Sequence, residues 1–512
     1  MPRSKSWFTY LPPAVLTLSL FGVYWSTLAP GLTWANEGAD GGDLIAAAAT
    51  GGIPHPTGYP TYLLLAQIFQ AMPLGSLAFR TNLMSAVATS LAAGLVYLLV
   101  ARFLSPANPK KYWPAGLVGG YAFGLAPLIW SQGVITEVYA LHAFFIVLII
   151  YLATFPLSPS ESRYKRLNSL LGLVCGLGMG NHLTCGLLVP AALLTRSIIE
   201  KPVIENTPRT VWSRFRGWRL DWSALLRQFI GLGAGLSIYL LLPVRALSGS
   251  AINWGNPLTL ERFWWLVSGQ LYQDHYLNMT IGEVLIRFQA AATLLLKQFG
   301  YVGMALGFIG LVYSFTRSRL YVLTVWTAVV SAIFASLYGA GDSYVYLIPA
   351  FASFAIWISL GLTSLIKPLA RIRQRLAWIL YPLFLVYLFV MAVNNFPMVD
   401  TSHDLRAEDF GNSVLRDAPE DAILFVEGDR AVFAMWYFHF ALHKRPDLAV
   451  LATDLLDFAW YQESLRKAYP ALNLPGPFPF PATIAAANPG QDYCYIKYEL
   501  RAEIVCHDAL GR

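Results

Sequence analysis

Charged residues are scarce in this 512-residue chain, because Asp, Glu, Lys and Arg together make up 13% of it. An ordinary soluble domain carries about 25% of these residues. Hydrophobic residues account for 56% of the chain, and the mean hydropathy is +0.51. This composition excludes a disordered or fibrous chain and argues against a water-soluble globule. It predicts a protein that lies mostly in lipid.

Cysteine is also scarce, with four residues and no Cys-x-x-Cys motif, so the spacing does not favour a zinc site. Cys175 and Cys185 lie in apolar sequence and are predicted to be small core residues. Cys494 and Cys506 lie in the tail of the chain, with eleven residues between them. In an oxidising compartment these two are predicted to form a disulfide that pins the C-terminus.

The sequence lacks internal repeats and low-complexity linkers, and charge is absent from ten long windows. A membrane span needs roughly 20 apolar residues. The windows are residues 6–30, 83–101, 112–136, 138–160, 167–195, 228–244, 298–316, 320–341, 343–366 and 376–399. Both flanks of residues 167–195 are basic, so this window is expected to enter and return as a hairpin of two short helices, with its tip near Asn181 and His182. The total is eleven crossings.

Basic residues cluster in alternate gaps between these windows, which fixes the predicted orientation. The positive-inside rule places all six clusters in the cytoplasm. That side then holds 21 basic and 4 acidic residues, and the other side holds 15 basic and 25 acidic residues. The net charges are +17 inside and −10 outside, so the overall +7 reflects topology and not binding to nucleic acid. The first apolar run is longer than a signal-peptide core, which favours a retained span over cleavage near Trp34.

These windows divide the chain into two predicted domains. Residues 1–394 form a transmembrane domain whose outer loops, 31–80 and 245–297, are long. Residues 395–512 have soluble composition and form a small extracytoplasmic α/β domain. Its predicted elements are a strand over 422–426, a helix over 431–442 and a strand over 448–451.

The first outer loop carries the most chemistry. Asp40 and Asp43 stand among glycines, which let the backbone approach a ligand closely. The turn that contains His55 and Tyr59 is rigid, with prolines on both sides, and favours a shaped site. The alternative is a solvated loop in which Asp43 caps a helix over residues 44–50.

Two polar elements lie at other membrane boundaries. Glu137 stands between two long apolar runs, and an ionisable group there is costly unless it is paired or faces a cavity. Tyr139 follows it, and an interfacial loop is the alternative interpretation. His182 lies at the tip of the predicted hairpin, where a site residue and a core histidine are equally consistent with the sequence.

The second long loop and a short late loop complete the outer face. Arg245 emerges at the outer end of a span, either snorkelling to lipid head groups or clamping a phosphate with its guanidinium fork. Trp254 follows in the same loop. Asp342 and Tyr344 lie in the short loop, for which an aromatic interface belt is the alternative. A carboxylate, an arginine and aromatics on one face favour displacement of a lipid phosphate by a hydroxyl, with an Asp as general base.

The combination of these motifs resembles the GT-C superfamily of membrane glycosyltransferases, and within it the protein O-mannosyltransferase-like family related to the vertebrate plexin O-mannosyltransferase. The resemblance covers nearly the whole chain. The motifs are Asp40-Gly-Gly-Asp43, His55-Pro-Thr-Gly-Tyr59-Pro, Ala78-Phe-Arg80-x-Asn82, Glu137-Val-Tyr139, Gly180-Asn-His182, Leu242-Pro-Val-Arg245, Asn253-Trp254-Gly, and in the tail Gly428-Asp429, Met435-Trp-Tyr437 and Arg445-Pro-Asp447. One departure is that the family often has Asp-Ser-Gly-Glu, so the second acid is here one methylene shorter.

The resemblance implies transfer of a hexose such as mannose from a polyprenyl-phosphate donor to a protein Ser/Thr or an envelope glycan, with inversion at the sugar. Asp40 is the expected base. The substrate-binding residues expected from the resemblance and the outer-face topology are Asp43, His55, Tyr59, Glu137, Tyr139, His182, Arg245, Trp254, Asp342 and Tyr344. No cofactor is predicted, although some GT-C enzymes use a divalent metal. The expected location is the inner membrane of a prokaryote, with the N-terminus cytoplasmic.

Two other functions fit a membrane protein of this composition. A transporter or flippase of lipid-linked sugars would be expected to show inverted repeats and broken helices at mid-membrane. The sequence shows no repeat and gathers its polar residues on one face, which favours the enzyme. A non-catalytic envelope scaffold that binds through its tail is the third possibility.

Overall fold

The computed structural model describes residues 7–105, 108–155, 161–200, 218–275, 278–315, 318–477, 479–499 and 501–508. Some of the charged residues behind the predicted topology lie outside these ranges. They are Arg3, Lys5, Lys201, Glu205, Arg209, Arg214, Arg216, Arg317 and Arg512. Within the described ranges the chain is mostly helical.

The part of the chain up to residue 399 is a helical bundle with two short helices inserted after the first one. In chain order the helices are α1 (Trp7–Thr27), α2 (Gly41–Thr50), α3 (Pro60–Gln70), α4 (Leu77–Leu104), α5 (Trp113–Gly124), α6 (Pro127–Gln132), α7 (Val138–Thr154), α8 (Ser162–Asn181), α9 (Val189–Ser197), α10 (Trp222–Leu236), α11 (Leu241–Ala246), α12 (Leu260–Val267), α13 (Ile281–Ser314), α14 (Ser318–Leu337), α15 (Ile348–Ile372), α16 (Gln374–Trp378) and α17 (Leu380–Val399). Two short antiparallel strands, β1 (Ile198–Glu200) and β2 (Trp218–Leu220), join α9 to α10.

Six stretches of the described chain are long and apolar enough to cross a membrane. They are Leu77–Leu104, Trp222–Ala246, Ile281–Ser314, Arg319–Leu337, Ser343–Ile372 and Leu376–Val399. The count of eleven crossings stays a prediction, since other expected spans are short or broken. The span expected over residues 112–136, for example, is interrupted between Gly124 and Pro127, because proline fits the first turn of a helix and not its interior.

The hairpin predicted over residues 167–195 is confirmed. Helix α8 ends at Asn181, and His182 has an extended backbone, with φ −156° and ψ 125°. A short 3-10 turn, Leu183–Leu187, then leads into α9. The chain therefore turns back at His182, as the basic flanks require.

Glycines set the closest helix contacts of the bundle. A methyl group added to Gly310 of α13 would lie 1.7 Å from the carbonyl oxygen of Trp357 in α15. One added to Gly172 of α8 would lie 1.9 Å from the carbonyl oxygen of Gln228 in α10. Small residues let helices approach in lipid, where packing and not the hydrophobic effect drives association.

The C-terminal unit has a four-stranded sheet in the order β4-β3-β5-β6. Strands β3, β4 and β5 are parallel, and β6 is antiparallel to β5. The elements are α18 (Arg406–Asp417), β3 (Ile423–Glu427), α19 (Asp429–Trp436), β4 (Ala449–Ala452), α20 (Ala459–Ala468), α21 (Pro481–Ala487), β5 (Tyr493–Tyr498) and β6 (Ala502–His507). The two strands predicted here are confirmed. The predicted helix over 431–442 is shorter, because a wider turn, Tyr437–Ala441, follows α19.

A disulfide joins Cys494 of β5 to Cys506 of β6 across the sheet, as the sequence predicts. Cys175 and Cys185 are buried free thiols. The last membrane helix runs to Val399, past the predicted domain boundary at residue 394.

The C-terminal unit is tied to the two long loops by polar contacts. One carboxylate oxygen of Asp404 accepts hydrogen bonds from the Thr33 hydroxyl at 2.5 Å and from the Ala35 N–H at 2.9 Å. Arg262 of α12 forms two hydrogen bonds, both 2.8 Å, with the carboxylate of Glu463 in α20. The first and second outer loops are therefore both attached to this unit.

Candidate active site

Asp40 and Asp43 lie at the start of α2, and they have different environments. Asp40 immediately precedes the helix, whereas Asp43 is in its first turn and fully buried. Asp43 does not cap the helix, which corrects the alternative interpretation of this residue. Its carboxylate accepts hydrogen bonds from the backbone N–H of His55 at 2.8 Å and from Nδ1 of the same residue at 2.7 Å. The shorter side chain therefore still reaches its partner.

His55 is held between three oxygen atoms. Its Nδ1 donates to Asp43, and its Nε2 lies 3.1 Å from the hydroxyl of Tyr59 and 3.5 Å from Oδ2 of Asp40. The Tyr59 hydroxyl donates its single proton to the carbonyl of Pro56 at 3.0 Å, so Nε2 must itself be protonated to donate to that hydroxyl. Burial lowers the pKa of His55, but Asp40 and Asp43 outweigh burial and raise this pKa to about 9. His55 is therefore a fixed cation at neutral pH.

Asp40 is the accessible carboxylate of the pair, with 39% of its side chain exposed. Desolvation by the surrounding protein raises its pKa to about 6, although the charge of His55 acts in the opposite direction. The carboxylates of Asp429, Asp43 and Asp342 raise the pKa of Asp40 further. A carboxylate with this pKa is ionised near neutral pH and is still basic enough to accept a proton.

Glu137 and Asp342 bring two more carboxyl groups to the same region. Glu137 is 4% exposed, at the residue before α7. Burial, followed by the charges of Asp40 and Asp342, raises the pKa of Glu137 well above its ordinary value. Burial also raises the pKa of Asp342, and the negative charge of Glu37 raises it further. A protonated Glu137 can donate a hydrogen bond to a sugar or acceptor oxygen.

Aromatic rings form one wall of the site around His182. The rings of Tyr139 and Tyr346 both lie 5.6 Å from the imidazole of His182, and the ring of Tyr59 lies 6.3 Å from it. The Nδ1 atom of His182 is 2.7 Å from the hydroxyl of Thr184. The structure therefore brings His182 and Tyr139 together with the first outer loop, as predicted from the topology.

Trp254 forms the opposite wall. Its indole N–H donates to Asp43 at 3.3 Å, and its ring lies 6.3 Å from that of His55. The segment before it joins the first outer loop, because Ile53 and Asn253 form a parallel bridge. Tyr344 lies near enough to Glu37, Asp342 and Glu137 for their charges to act on its hydroxyl group.

Arg245 does not join this group, and the structure places it at the far end of α2. Its guanidinium is 7% exposed and donates to the carbonyls of Ala47 at 3.3 Å and Gly52 at 3.0 Å, and to the side chain of Gln67 at 2.8 Å. Helix α2 has ten residues, so it separates Arg245 from Asp40 by about 15 Å. The phosphate-clamp interpretation of Arg245 therefore lacks support from this geometry, and the residue binds the carbonyl end of α2 instead.

Two charged residues near the site were not assigned to it by sequence reasoning. Asp429, the first residue of α19, lies close enough to act on the pKa values of both Asp40 and His55. Asp429 could have been assigned to the site from its position directly after a predicted buried strand, because α/β sheets bind ligands at the carboxyl ends of their parallel strands. Lys297 lies within the long apolar helix α13, where an ionisable residue indicates function by default.

Lys297 lines two clefts on the side of the bundle formed by α13. One has a volume of about 730 Å³ and the other about 720 Å³, and Leu294 and Tyr344 line both as well. Asn36, next to Glu37 in the first outer loop, lines the second cleft. Within the described ranges, no hydrogen bond or ion pair joins Lys297 to the protein. The clefts thus connect an unpaired cation to the edge of the Asp40 region.

The part of the chain that the structure describes holds no group of three or more His, Cys, Asp or Glu side chains arranged to bind a metal ion. The side chains gathered around Asp40 are suited to proton transfer and hydrogen bonding. An ionised base, a fixed imidazolium and a neutral carboxyl group lie together on one face.

Two family profiles match the chain, and together they cover half of it. Residues 40–202 match the profile described as "Protein O-mannosyl-transferase TMEM260 N-terminal domain". Residues 407–502 match "TMEM260-associated domain 2". The chain belongs to the TMEM260 family. The first profile begins at Asp40 and includes every candidate of the first outer loop, and the second includes Asp429.

Curated members of the TMEM260 family are similar over most of the chain. The Protein O-mannosyl-transferase TMEM260 of Mus musculus is 24% identical over 467 residues, which cover 86% of this chain and 62% of the mouse protein. The Dictyostelium discoideum protein of the same name is 25% identical over 489 residues, covering 86% of this chain and 57% of that protein. The chain thus spans less than two thirds of the length of either relative.

Solved structures show that this TMEM260-family chain has a GT-C-like membrane fold. ArnT from Cupriavidus metallidurans bound to undecaprenyl phosphate has a TM-score of 0.61 at 12% identity, and covers 98% of both chains. The Archaeoglobus fulgidus oligosaccharyltransferase in complex with Zn and sulfate has a TM-score of 0.53 at 12% identity, covering 89% of this chain and 66% of that one. With its apolar helices, this fold makes the chain an integral membrane protein.

Proposed function

We propose that the chain is a glycosyltransferase that moves a hexose from a polyprenyl-phosphate donor to a hydroxyl on a protein or glycan. The names of its relatives indicate that this hexose is mannose. The observation that carries this proposal is the Asp40–His55–Asp43 arrangement, in which an accessible carboxylate with a pKa near 6 stands beside a fixed cation. The names of the mouse and Dictyostelium relatives support O-mannosylation.

In the proposed reaction Asp40 removes the proton from the acceptor hydroxyl as its oxygen attacks the anomeric carbon. The bond from that carbon to the phosphate oxygen breaks, and the electron pair leaves with the lipid phosphate. Attack and departure on opposite faces invert the anomeric centre. No covalent sugar–enzyme bond is needed, so one base suffices.

His55 would stabilise this reaction in two ways. Its charge lies 3.5 Å from Asp40 and keeps that carboxylate ionised in the resting site. Once Asp40 has taken a proton, the imidazolium has lost one of its two neighbouring carboxylate charges, so that its positive charge can offset the developing phosphate charge. Asp43 keeps the imidazole ring in place by accepting hydrogen bonds from both the backbone N–H and Nδ1 of His55.

The donor is proposed to lie along the α13 clefts, with its phosphate near Lys297. The lining of both clefts is mostly apolar, which suits a lipid tail, and Tyr344 continues from the clefts toward Glu37 and Asp342. The likeness in fold to an ArnT structure that holds undecaprenyl phosphate supports a lipid-linked donor. Lys297 replaces Arg245 as the candidate for the phosphate, because the guanidinium of Arg245 is engaged by carbonyl groups.

The site is proposed to face the outer, acidic side of the membrane, as the division of charge predicts. The C-terminal unit would then lie on the same outer side, where its disulfide is stable. The relatives named above are eukaryotic, so the compartment that corresponds to this side depends on the source of the chain.

The test is transfer of labelled mannose from polyprenyl-phosphate mannose to a Ser/Thr peptide by the purified protein. We expect Asp40→Asn to lower kcat by at least about 100-fold, because the amide cannot accept the proton. The matched control is Asp417→Asn on the exposed surface of α18, where a surface ion pair with Arg416 contributes little.

Full transfer by Asp40→Asn would show that Asp40 is not the base. Absence of transfer by the wild-type protein, together with movement of the lipid-linked sugar across sealed vesicles, would favour the transporter.

A further inference from the structure

The C-terminal sheet directs its ligand-binding edge toward the membrane site. Helix α19 starts directly after β3, and the backbone N–H of Gly428 between them donates to Asp454 at 2.9 Å. Asp454 itself follows β4, the parallel neighbour of β3. Open α/β sheets bind ligands beyond the carboxyl ends of their parallel strands. Here that edge lies beside Asp40.

Helix α19 is in direct contact with the catalytic residues. The ring of Phe433 stacks on His55, with 6.1 Å between centroids and 17° between planes. A methyl group added to Gly42 of α2 would lie 2.2 Å from the carbonyl oxygen of Phe433. The helix therefore forms part of the wall of the site, and the glycine is required for this approach.

The first residue of α19 presents a carboxylate to the site. Asp429 is accessible and forms no hydrogen bond to any residue in the described ranges, although its charge acts on Asp40 and His55. The next residue, Arg430, forms an ion pair of 3.3 Å with Glu37 of the first outer loop. The carboxylate is thus held at the opening of the site with its oxygen atoms free.

We propose that Asp429 is an acceptor-binding residue of the Asp40–His55 site, so that the site is complete only with the C-terminal sheet docked on α2. A free carboxylate binds hydroxyl and amide N–H groups, and these are what a Ser/Thr segment of a protein offers beside its reacting oxygen. We assign Asp429 to the acceptor and not to the donor because of where the two would enter the site. The α13 clefts proposed for the donor reach the site from the helical bundle, whereas α19 belongs to the C-terminal unit.

This inference rests on the proposed transferase function. The first experiment measures transfer of mannose to the peptide by Asp429→Asn. The matched control is Asp492→Asn, the same change at the amino end of β5, on the opposite edge of the sheet. We expect kcat/KM for the peptide to fall roughly 10- to 100-fold in Asp429→Asn, the range for one hydrogen bond to a charged group. The KM for the donor should be unchanged.

The pH dependence of transfer distinguishes an electrostatic effect of Asp429 on Asp40 from a purely structural role. Asp429 raises the pKa of Asp40, so its neutralisation should shift the acidic limb of the profile to lower pH. The other titratable groups around Asp40 stay in place, namely His55, Asp43, Glu137 and Asp342. Unchanged peptide kinetics and an unchanged acidic limb would overturn the inference, and so would equal effects of the two variants.

A second experiment does not depend on turnover. The native free cysteines are buried, so Asp429→Cys introduces a thiol that a polar maleimide can label selectively. We expect a Ser/Thr peptide to protect this thiol, and neither the same peptide with Ala at those positions nor polyprenyl-phosphate mannose to do so. Asp492→Cys should stay unprotected.

If the peptide protects the thiol of Asp429→Cys but the wild-type protein has no transferase activity, the acceptor contact stands and the proposed function is rejected. Absence of protection in an active protein would reject only the contact.

Discussion

A fully buried carboxylate controls the charge of the histidine at this site. Asp43 receives two hydrogen bonds from His55, and its own second oxygen is bound by Trp254. The imidazole therefore cannot rotate, and its remaining nitrogen points to Tyr59 and Asp40. One carboxylate of the pair is fixed and serves positioning, while the other stays accessible. Enzymes commonly give two neighbouring carboxylates different roles in acid–base chemistry by placing them in different surroundings.

The pH dependence of transfer should report both groups. We expect kcat/KM to rise as the pH passes about 6, where Asp40 loses its proton, and to fall as it passes about 9, where His55 loses its charge. Initial rates across this range at constant ionic strength provide the measurement. The variant His55→Gln should lose the basic limb and shift the acidic limb to higher pH, because the charge of His55 lowers the pKa of Asp40. A flat profile in the wild-type protein would contradict this assignment of both groups.

Sequence reasoning named most of the residues that the structure brings together around Asp40, but not their contacts. The charge-derived topology correctly gathered Asp40, His55, Glu137 and His182 on one face, because each lies at the same end of a span. It could not show what Arg245 binds. The end of a span, where Arg245 stands, is equally suited to a phosphate clamp and to capping carbonyl groups, and only tertiary packing decides between them.

At the scale of elements, the close contact between α2 and α19 connects the membrane bundle to the sheet. The motif Asp40-Gly-Gly-Asp43 has a glycine where α19 crosses, and any larger residue there would meet backbone atoms. The helical period and the strand pattern predicted the main soluble elements, including β3 and β4, because their apolar runs are bounded by turns. They could not predict that α19 lies against α2, since a contact between residues 42 and 433 leaves no periodic signal.

We expect Gly42→Ala to disturb this contact, because the added carbon would lie 2.2 Å from the Phe433 carbonyl. The free energy of unfolding should fall by about 1–3 kcal/mol, as for other overpacked positions. Transfer activity should fall as well, since Phe433 supports His55. Thermal unfolding of the purified protein and the mannose assay measure the two effects.

The control for this change is Gly22→Ala in α1, where nothing lies within 4 Å of the added carbon. It should be neutral or slightly stabilising, because alanine favours a helix more than glycine does. Wild-type stability and activity in Gly42→Ala would mean that α19 and α2 do not pack as described.

At the scale of the whole molecule, the charge-derived topology predicts that acidic and basic residues lie at opposite ends of an apolar bundle. The acidic end carries the carboxylates near Asp40 and the sheet, and the predicted cytoplasmic end carries the basic clusters. Mostly buried α15 occupies the centre, and α17 exposes most of its apolar surface, as lipid contact requires.

This orientation can be measured by labelling single cysteines in intact cells with a membrane-impermeant maleimide. We expect Asp417→Cys to react and Lys111→Cys to react only after the membrane is permeabilised, because they lie on opposite sides in the charge-derived topology. Both positions are exposed, and the native thiols are buried or oxidised. Reaction of Lys111→Cys in intact cells would reverse the orientation.

The contacts of Asp404 have a consequence for the order of events during synthesis. The first outer loop is made early, yet Thr33 and Ala35 donate hydrogen bonds to Asp404, a residue about 370 positions later. Phe433, against His55, is synthesised later still. The first outer loop therefore leaves the ribosome long before the partners that shape it. If the proposed function holds, a nascent chain would remain inactive until the residues around Asp404 and Phe433 have been translated and have folded onto the bundle.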